Sequence, residues 1–433
     1  MRSPPFHRRI LPWVFTIAFV AAAPVVVFYT SGYRWNPKKD KIERNGTLIV
    51  DSTPSRASVF LNGNDTGEKT PITLQNVSPG QYAIRVAREG YHPWEKRLEV
   101  FPERVTFAND ILLWNIATPE PVGFDGVTNI EPSPNGRELA MLLPGASSSQ
   151  LLLWQPGLER PRTVDLPSGH LASATLRWSD DSRALFVESE RSDQNGSWLL
   201  DVRGDGNPLP VPSGTYRWNG NALEGVTSSS IIFIQPQTGT VSRTPLPPLV
   251  RDRAGEFTIR AVTGTDELVL SRATRSTTDF ILPPGAWTVH DARGKQLFLR
   301  DRTSWMRVDA DADPPTGSRL TGDSLRAQPE SGRTVFLSLS DGEIWQWGPT
   351  EEPELLSRES KPVREAVWHP GGLHIIVASE REVYAFGLDI RDGHLRTPLA
   401  TFDSVEDIAL VDGTLYVSAT RGGRGGLWKL PIE

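Results

Sequence analysis

From Pro119 onward a polar turn recurs along the chain, and this repeat limits what the chain can fold into more than any other feature. The turns read EPSPNGR (131–137), WSDDSR (178–183), WNGN (218–221), TGTDE (263–267), AQPESGR (327–333), WHPGG (368–372) and VDG (411–413). Each precedes an apolar run: ELAMLL, ALFVES, ALEGVTS, ELVLS, TVFLSL, LHIIVAS and TLYVSAT. A third run follows in most units, often with tryptophan: LLLWQ, SWLLDV, SIIFIQ, EIWQW, EVYAFGLD and GLWKLPI. Short apolar runs bounded by such turns read as strands. Counted from Glu138, Ala184, Ala222, Glu267, Thr334, Leu373 and Thr414, the steps are 46, 38, 45, 67, 39 and 41 residues. The long step hides one more unit, in which Lys295 to Arg300 and Ser304 to Asp309 repeat the strand pair. A period near 40 with three or four short strands per unit predicts a β-propeller of seven or eight blades over residues 116–433. Pro119 to Asp125 is placed to lend a strand to the last blade, closing the ring without an open edge.

The N-terminus is different. Residues 10–30, ILPWVFTIAFVAAAPVVVFYT, carry no charge over 21 residues. At about 1.5 Å per residue they span about 31 Å, the thickness of a bilayer's hydrocarbon core. Ala21 and Ala23 offer a signal-peptidase site, but Pro24 would follow the cut and Val25 to Tyr29 continue the apolar run, so an uncleaved transmembrane helix is expected. Lysine and arginine do not orient it, since Arg2, Arg8 and Arg9 precede it and five basic residues follow. The short flank 1–9 is assigned to the cytoplasm because a long C-terminal part translocates largely regardless of charge. Residues 31–45 form a basic juxtamembrane linker.

Charge and composition exclude several classes. The chain has 46 Lys and Arg against 52 Asp and Glu, a net charge of −6, which argues against nucleic acid as a partner. The absence of cysteine excludes disulfide scaffolds, thiolate zinc sites and cysteine nucleophiles.

Between anchor and repeat, short alternating runs appear at 47–51, 57–61, 72–74, 81–87 and 96–100, with Asn62-Gly63 as a tight-turn signal. The stretches GTLIVDSTPSRASVFLNG and TPITLQNVSPGQYAIRVAREGYHPWEKRLEV resemble the PEGA domain family over residues 46–112. The shared features are an opening strand into a Thr-Pro step, an Asn-Gly turn, a second Thr-Pro with a hydrophobic residue, a Pro-Gly turn and a Gly-Tyr-x-Pro-Trp close. Pro54-Ser55-Arg56-Ala57 stands where that family has Pro-Glu-Gly-Ala. The resemblance implies a small β-sandwich, a non-catalytic spacer or binding module outside prokaryotic cells. Tyr91 and Trp94 are expected to close its core rather than form an exposed patch. The repeat turns resemble the Trp-Ser-Pro-Asp-Gly turns of WD-like propellers in periplasmic Tol-system proteins. Trp178, Trp218 and Trp368 hold the tryptophan position and, recurring with the period, are read as packing between blades.

Motifs of chemistry are missing. There is no G-x-S-x-G elbow, no H-E-x-x-H and no Walker loop. His369 and His374 lie five apart across a turn and are expected to face apart. Asp309, Asp311 and Asp313 alternate and are candidate calcium ligands. Pro314 and Leu320 stand where an EF-hand loop needs glycine and glutamate, which favours an exposed acidic loop. No catalytic residue, cofactor or metal is assigned. The expectation is an all-β protein after an N-terminal transmembrane helix: a non-enzymatic, extracytoplasmic binding scaffold of a prokaryotic envelope. Its partners would be an envelope protein or a cell-surface glycan, with the membrane held through residues 10–30. The alternatives are a propeller enzyme acting on cell-wall glycan or peptide, and an accessory subunit of an envelope transport complex.

Overall fold

The computed structural model describes residues 6–30, 33–36, 41–146, 148–167, 171, 174–189, 196–204, 207–272, 279–293, 296–302, 304–309, 312, 315–322, 324–327, 336–340, 342–348 and 352–433. The chain divides into two compact units: 1–116 with 389–395 and 433, and 117–388 with 396–432.

In the first unit a helix spans Phe6–Thr30. It leaves large apolar side chains in the open, Trp13 being 70% and Phe19 72% exposed. Among the described residues, no helix is long and apolar enough to cross a membrane. Tyr33–Asn36 then pairs antiparallel with Lys41–Arg44, so the stretch expected as a linker contains a hairpin.

Two sheets follow. Ile72–Val77, Gly46–Thr53 and Val105–Leu112 form a three-stranded sheet whose last two strands run parallel. Asn64–Lys69, Ser58–Leu61, Gly80–Ala87 and Trp94–Val100 form a four-stranded one. Asn62 and Gly63 both take positive φ, +50° and +82°, the mirror-image turn that matches strand twist. The core gathers alternate residues: Leu48, Val50, Val59, Ile84, Val86, Leu98 and Val100. Trp94 lies in this core with Tyr91 packed against it, as expected.

Lys96 sits on the same strand but is only 3% exposed. Its Nζ donates to the backbone carbonyls of Asp389, Arg391 and Gly393 at 2.6, 2.8 and 2.8 Å. Residues 389–395 belong to this unit although they come from far along the chain. Burial pushes the Lys96 ammonium below its ordinary value, against the pull of the Asp389 carboxylate. Three carbonyls match the three protons of an ammonium, which makes its burial tolerable.

Among the described residues, the second unit contains eight four-stranded antiparallel sheets. Seven are continuous meanders: 129–165, 174–211, 215–245, 250–282, 288–321, 324–358 and 363–401, here blades 1 to 7. Blade 8 takes Ser404–Val411, Thr414–Arg421 and Arg424–Pro431 and completes itself with Glu120–Gly123 from the start of the unit. The first strand of blade 1 lies against that of blade 8, so the cycle closes.

Middle strands are buried on both faces, because each blade is covered by two neighbours. Leu139 to Leu142, Ala184 to Val187 and Ile375 to Ala378 have no outward face, which explains their continuous apolar runs. The first turns are wired alike. In blade 1, Ser133 Oγ accepts from Glu138 N at 2.9 Å and donates to Asn135 at 2.8 Å. In blade 2, Ser179 Oγ accepts from Ala184 N at 2.9 Å and donates to Asp181 at 2.7 Å. A Ser-x-Asn/Asp turn therefore satisfies its own buried groups.

Blade 4 corrects the reading of the repeat. The run after TGTDE, Leu268–Arg272, is the third strand of its blade; the second is Phe257–Ala261. The first two strands join through the two-residue turn Gly255-Glu256, without the usual Pro/Asp signal, and Gly255 takes φ of +54°. Measured between second strands, the steps become 45, 38, 35, 39, 40, 38 and 40, and the 67-residue anomaly disappears.

Two substitutions test these arrangements. Lys96→Met leaves three carbonyls without a donor, costs about 2 kcal/mol, and abolishes amide-exchange protection around residues 389–395. Ser179→Ala strands the Ala184 amide and lowers the urea-unfolding free energy by about 2 kcal/mol; an unchanged midpoint contradicts this wiring.

Candidate functional site

The innermost strands of the blades surround a cavity of about 1040 Å³. What lines it follows from how the blades are joined. The Trp178 indole donates to the Glu131 carbonyl at 3.1 Å, from blade 2 to blade 1. The Trp218 indole donates to the Arg177 carbonyl at 3.2 Å, from blade 3 to blade 2. Trp368 packs in a cluster with Leu337, Leu339 and Ile344 of blade 6. The recurring tryptophans thus join blades, as their period implied.

Carboxylates make the same kind of join. Asp407 of blade 8 accepts from Ile130 N of blade 1 at 2.9 Å. Asp252 of blade 4 accepts from Val289 N of blade 5 at 2.6 Å, and its other oxygen takes the Arg217 guanidinium of blade 3. Both members of that ion pair are buried.

Basic and acidic side chains both line the cavity. Arg177, Arg217, Arg300 and His290 come from blades 2, 3 and 5 and Arg364 from blade 7; Glu131, Glu365, Glu406 and Asp407 come from blades 1, 7 and 8. Two further lining acids have cationic or amide partners: Glu256 meets Arg272 at 2.5 Å, and Glu224 takes the Asn219 amide at 3.1 Å. Arg177 pairs with Glu188 at 2.9 Å. Burial pushes its guanidinium below the ordinary value, Glu188 opposes this, and the guanidiniums of Arg217 and Arg300 add to it. Arg217 of blade 3 and Arg300 of blade 5 are therefore near enough to act on Arg177 of blade 2. Beside them the Arg300 guanidinium lies 5.2 Å from the Trp305 ring centroid, and His290 meets that ring edge-on at 4.8 Å.

Nothing in the local sequence marks this site. Arg177, Arg217 and Arg300 precede or follow turns as ordinary surface arginines would. Their only shared signal is position: Arg177 and Arg217 both stand immediately before a repeat tryptophan.

Of the calcium candidates, Asp309 ends the strand Ser304–Asp309, opposite Gln296 and Thr316. Asp311 and Asp313 lie outside the described residues. Among the described residues, no group of three His, Cys, Asp or Glu is placed to hold a metal ion. His369 and His374 correct an expectation. The tight turn bonds His369 N to the His374 carbonyl at 3.0 Å, and the two rings meet edge-to-face at 6.1 Å.

Residues 45–111 match the PEGA domain family, within one residue of the span read from sequence. No curated relative matches the chain. Among solved structures, the C-terminal WD40 domain of Sif2 is similar over 73% of this chain and 99% of its own, at 16% identity and a TM-score of 0.47. The apo form of AztD from Citrobacter koseri is similar over 69% and 99%, at 11% identity and a TM-score of 0.46. The sheet order itself defines the second unit as a β-propeller, so the chain carries a stretch that matches the PEGA domain family followed by a β-propeller.

The buried Arg217–Asp252 pair yields a prediction. Asp252→Ala leaves the guanidinium uncompensated and costs about 3–5 kcal/mol of stability. Denaturant unfolding followed by tryptophan fluorescence measures it; a loss below about 1 kcal/mol means the pair behaves as a solvated one.

Proposed function

We propose that the protein is a non-enzymatic scaffold of a prokaryotic envelope, presenting its propeller to an envelope protein or cell-surface glycan. Residues 10–30 anchor it as a transmembrane helix, residues 1–9 lie in the cytoplasm, and the PEGA domain and propeller lie outside. The observation that carries this reading is the closed ring. Among the described residues, eight sheets packed in a closed cycle make a stiff frame, and a stiff frame holds loops and a polar cavity ready to bind. The anchor is supported by the uncharged run and by the exposed Trp13, Phe15, Phe19 and Phe28. Such a surface is costly in water and is relieved by hydrocarbon.

The test is capture from native envelope. Detergent-solubilised full-length protein is incubated with fractionated envelope, and mass spectrometry and carbohydrate analysis identify what it retains. Retention of one stoichiometric protein, or of intact polysaccharide, is expected. Polysaccharide or peptide recovered shortened overturns the non-enzymatic reading in favour of a propeller hydrolase. In parallel, the protein resists alkaline carbonate extraction from membranes, and deletion of residues 10–30 releases it; release of the intact chain by carbonate refutes the anchor.

A further inference from the structure

The PEGA domain exposes large apolar side chains at one end only. Phe101, Val105 and Phe107 are 44%, 46% and 48% exposed. The other large apolar side chains described in residues 46–112 are buried or half-buried. Val105 and Phe107 stand on the outer face of the three-stranded sheet, beside Thr47 and Ile49 of the neighbouring strand. Phe101 opens the turn that leads into Val105–Leu112. Three such side chains within seven residues form a patch, and an exposed apolar patch marks a contact surface.

The patch lies where the chain enters the domain. Gly46–Thr53 and Val105–Leu112 run parallel, so both strands start at this end. The turn before Val105 is stapled to the entering chain. Thr47 N donates to the Arg104 carbonyl at 3.0 Å, Glu103 N to the Asn45 carbonyl at 3.2 Å, and Arg44 pairs with Glu103 at 2.5 Å. The preceding hairpin sets Tyr33 opposite Arg44. Three Cα steps back from Tyr33 to Thr30, and one step across the pair, put the helix end at most about 17 Å from Arg44. The headgroup layer beyond the hydrocarbon is about 5–8 Å deep. A helix that spans the bilayer therefore keeps this end of the domain beside the lipid surface.

Charge and backbone pairing narrow the partner. Residues 31–45 carry five basic residues against Asp40 and Glu43, in a chain whose net charge is −6. Arg104 is exposed in the turn itself, and its acidic neighbour Glu103 is held by Arg44. Apolar side chains with a basic rim suit anionic headgroups over hydrocarbon. A partner strand is a poorer fit. Val105–Leu112 is an edge strand among the described residues, but its Phe107 carbonyl already accepts from Arg391 Nη1 at 2.6 Å.

We propose that this end of the PEGA domain rests on the bilayer, with Phe101, Val105 and Phe107 entering the interface and Arg104 meeting anionic headgroups. The domain is then seated on the membrane rather than swinging from a tether. The proposal rests on the reading of residues 10–30 as a membrane anchor.

Spin labels on the full-length protein test it, in vesicles of phosphatidylcholine and phosphatidylglycerol. The chain has no cysteine, so a single introduced one takes the only label. Val105→Cys reports on the patch. Ser55→Cys is the reference, exposed just past the far end of Gly46–Thr53, which is about 23 Å along the strand. Oxygen concentrates in hydrocarbon and a nickel chelate in water. The oxygen-to-nickel accessibility ratio should be several-fold higher at Val105 than at Ser55. Phe101→Ser with Phe107→Ser should move the Val105 label into water, and vesicles of phosphatidylcholine alone should move it part of the way. A Val105 label as open to nickel as the Ser55 label, or one that either change leaves in place, overturns the proposal. If that protein stays in the vesicles through a carbonate wash, the anchor still stands. Release by carbonate removes the anchor and the proposal with it. Spin–spin broadening at Val105 that vanishes on dilution with unlabelled protein puts a second copy on the patch and overturns the bilayer as its occupant.

Discussion

Closure of the propeller ring is the constraint on which the second unit depends. No four-stranded blade can bury both faces of its middle strands alone, so each needs a neighbour on either side. A linear stack would leave two bare faces at its ends. Pairing Glu120–Gly123 with Arg424–Pro431 ties the two ends of the unit through backbone hydrogen bonds. The joint is reinforced by Asp407 on Ile130 and by the Trp154–Tyr416 ring contact at 5.6 Å. Once the ring is closed, Leu139 to Leu142 can be apolar on both faces without exposing either.

The same joins shape the cavity. Blades converge at their inner strands, and the groups that link them there are polar: indoles on carbonyls, carboxylates on amides, a guanidinium on a carboxylate. Structure and site therefore draw on one set of residues. Most of these groups use all their valences on neighbouring blades. Arg217 does not, because Asp252 divides its two oxygens between Arg217 and the Val289 amide. The remaining donors of the guanidinium, Nε and Nη1, are enclosed and find no partner among the described residues.

The PEGA domain faces the opposite problem of scale. Its core rests on about a dozen buried apolar residues, little for a unit that must stand alone. It recruits residues 389–395, which fold onto Lys96 and bring Leu395 against the core. Lys96 is suited to this because three rotatable protons can meet three carbonyls, whereas a guanidinium presents a fixed fork.

The strands, their period, the turn chemistry and the PEGA span were legible in the sequence because each is a local property. Alternation and Ser-x-Asn/Asp or Asn-Gly turns are set by residues a few positions apart. The one phase error arose where a locally permitted two-residue turn, Gly255-Glu256, replaced the usual signal. The closing strand at Glu120–Gly123 could be placed because a ring leaves its first unit one strand over. The cavity was not legible. Arg177, Arg217 and Arg300 are separated by 40 and 83 residues, and the meeting of His369 with His374 depends on how sharply one turn closes. Sequence determined which segments become strands, since that is decided by neighbours along the chain. Which charges face one another was decided only by the tertiary structure, since the ring brings together residues that no local pattern relates.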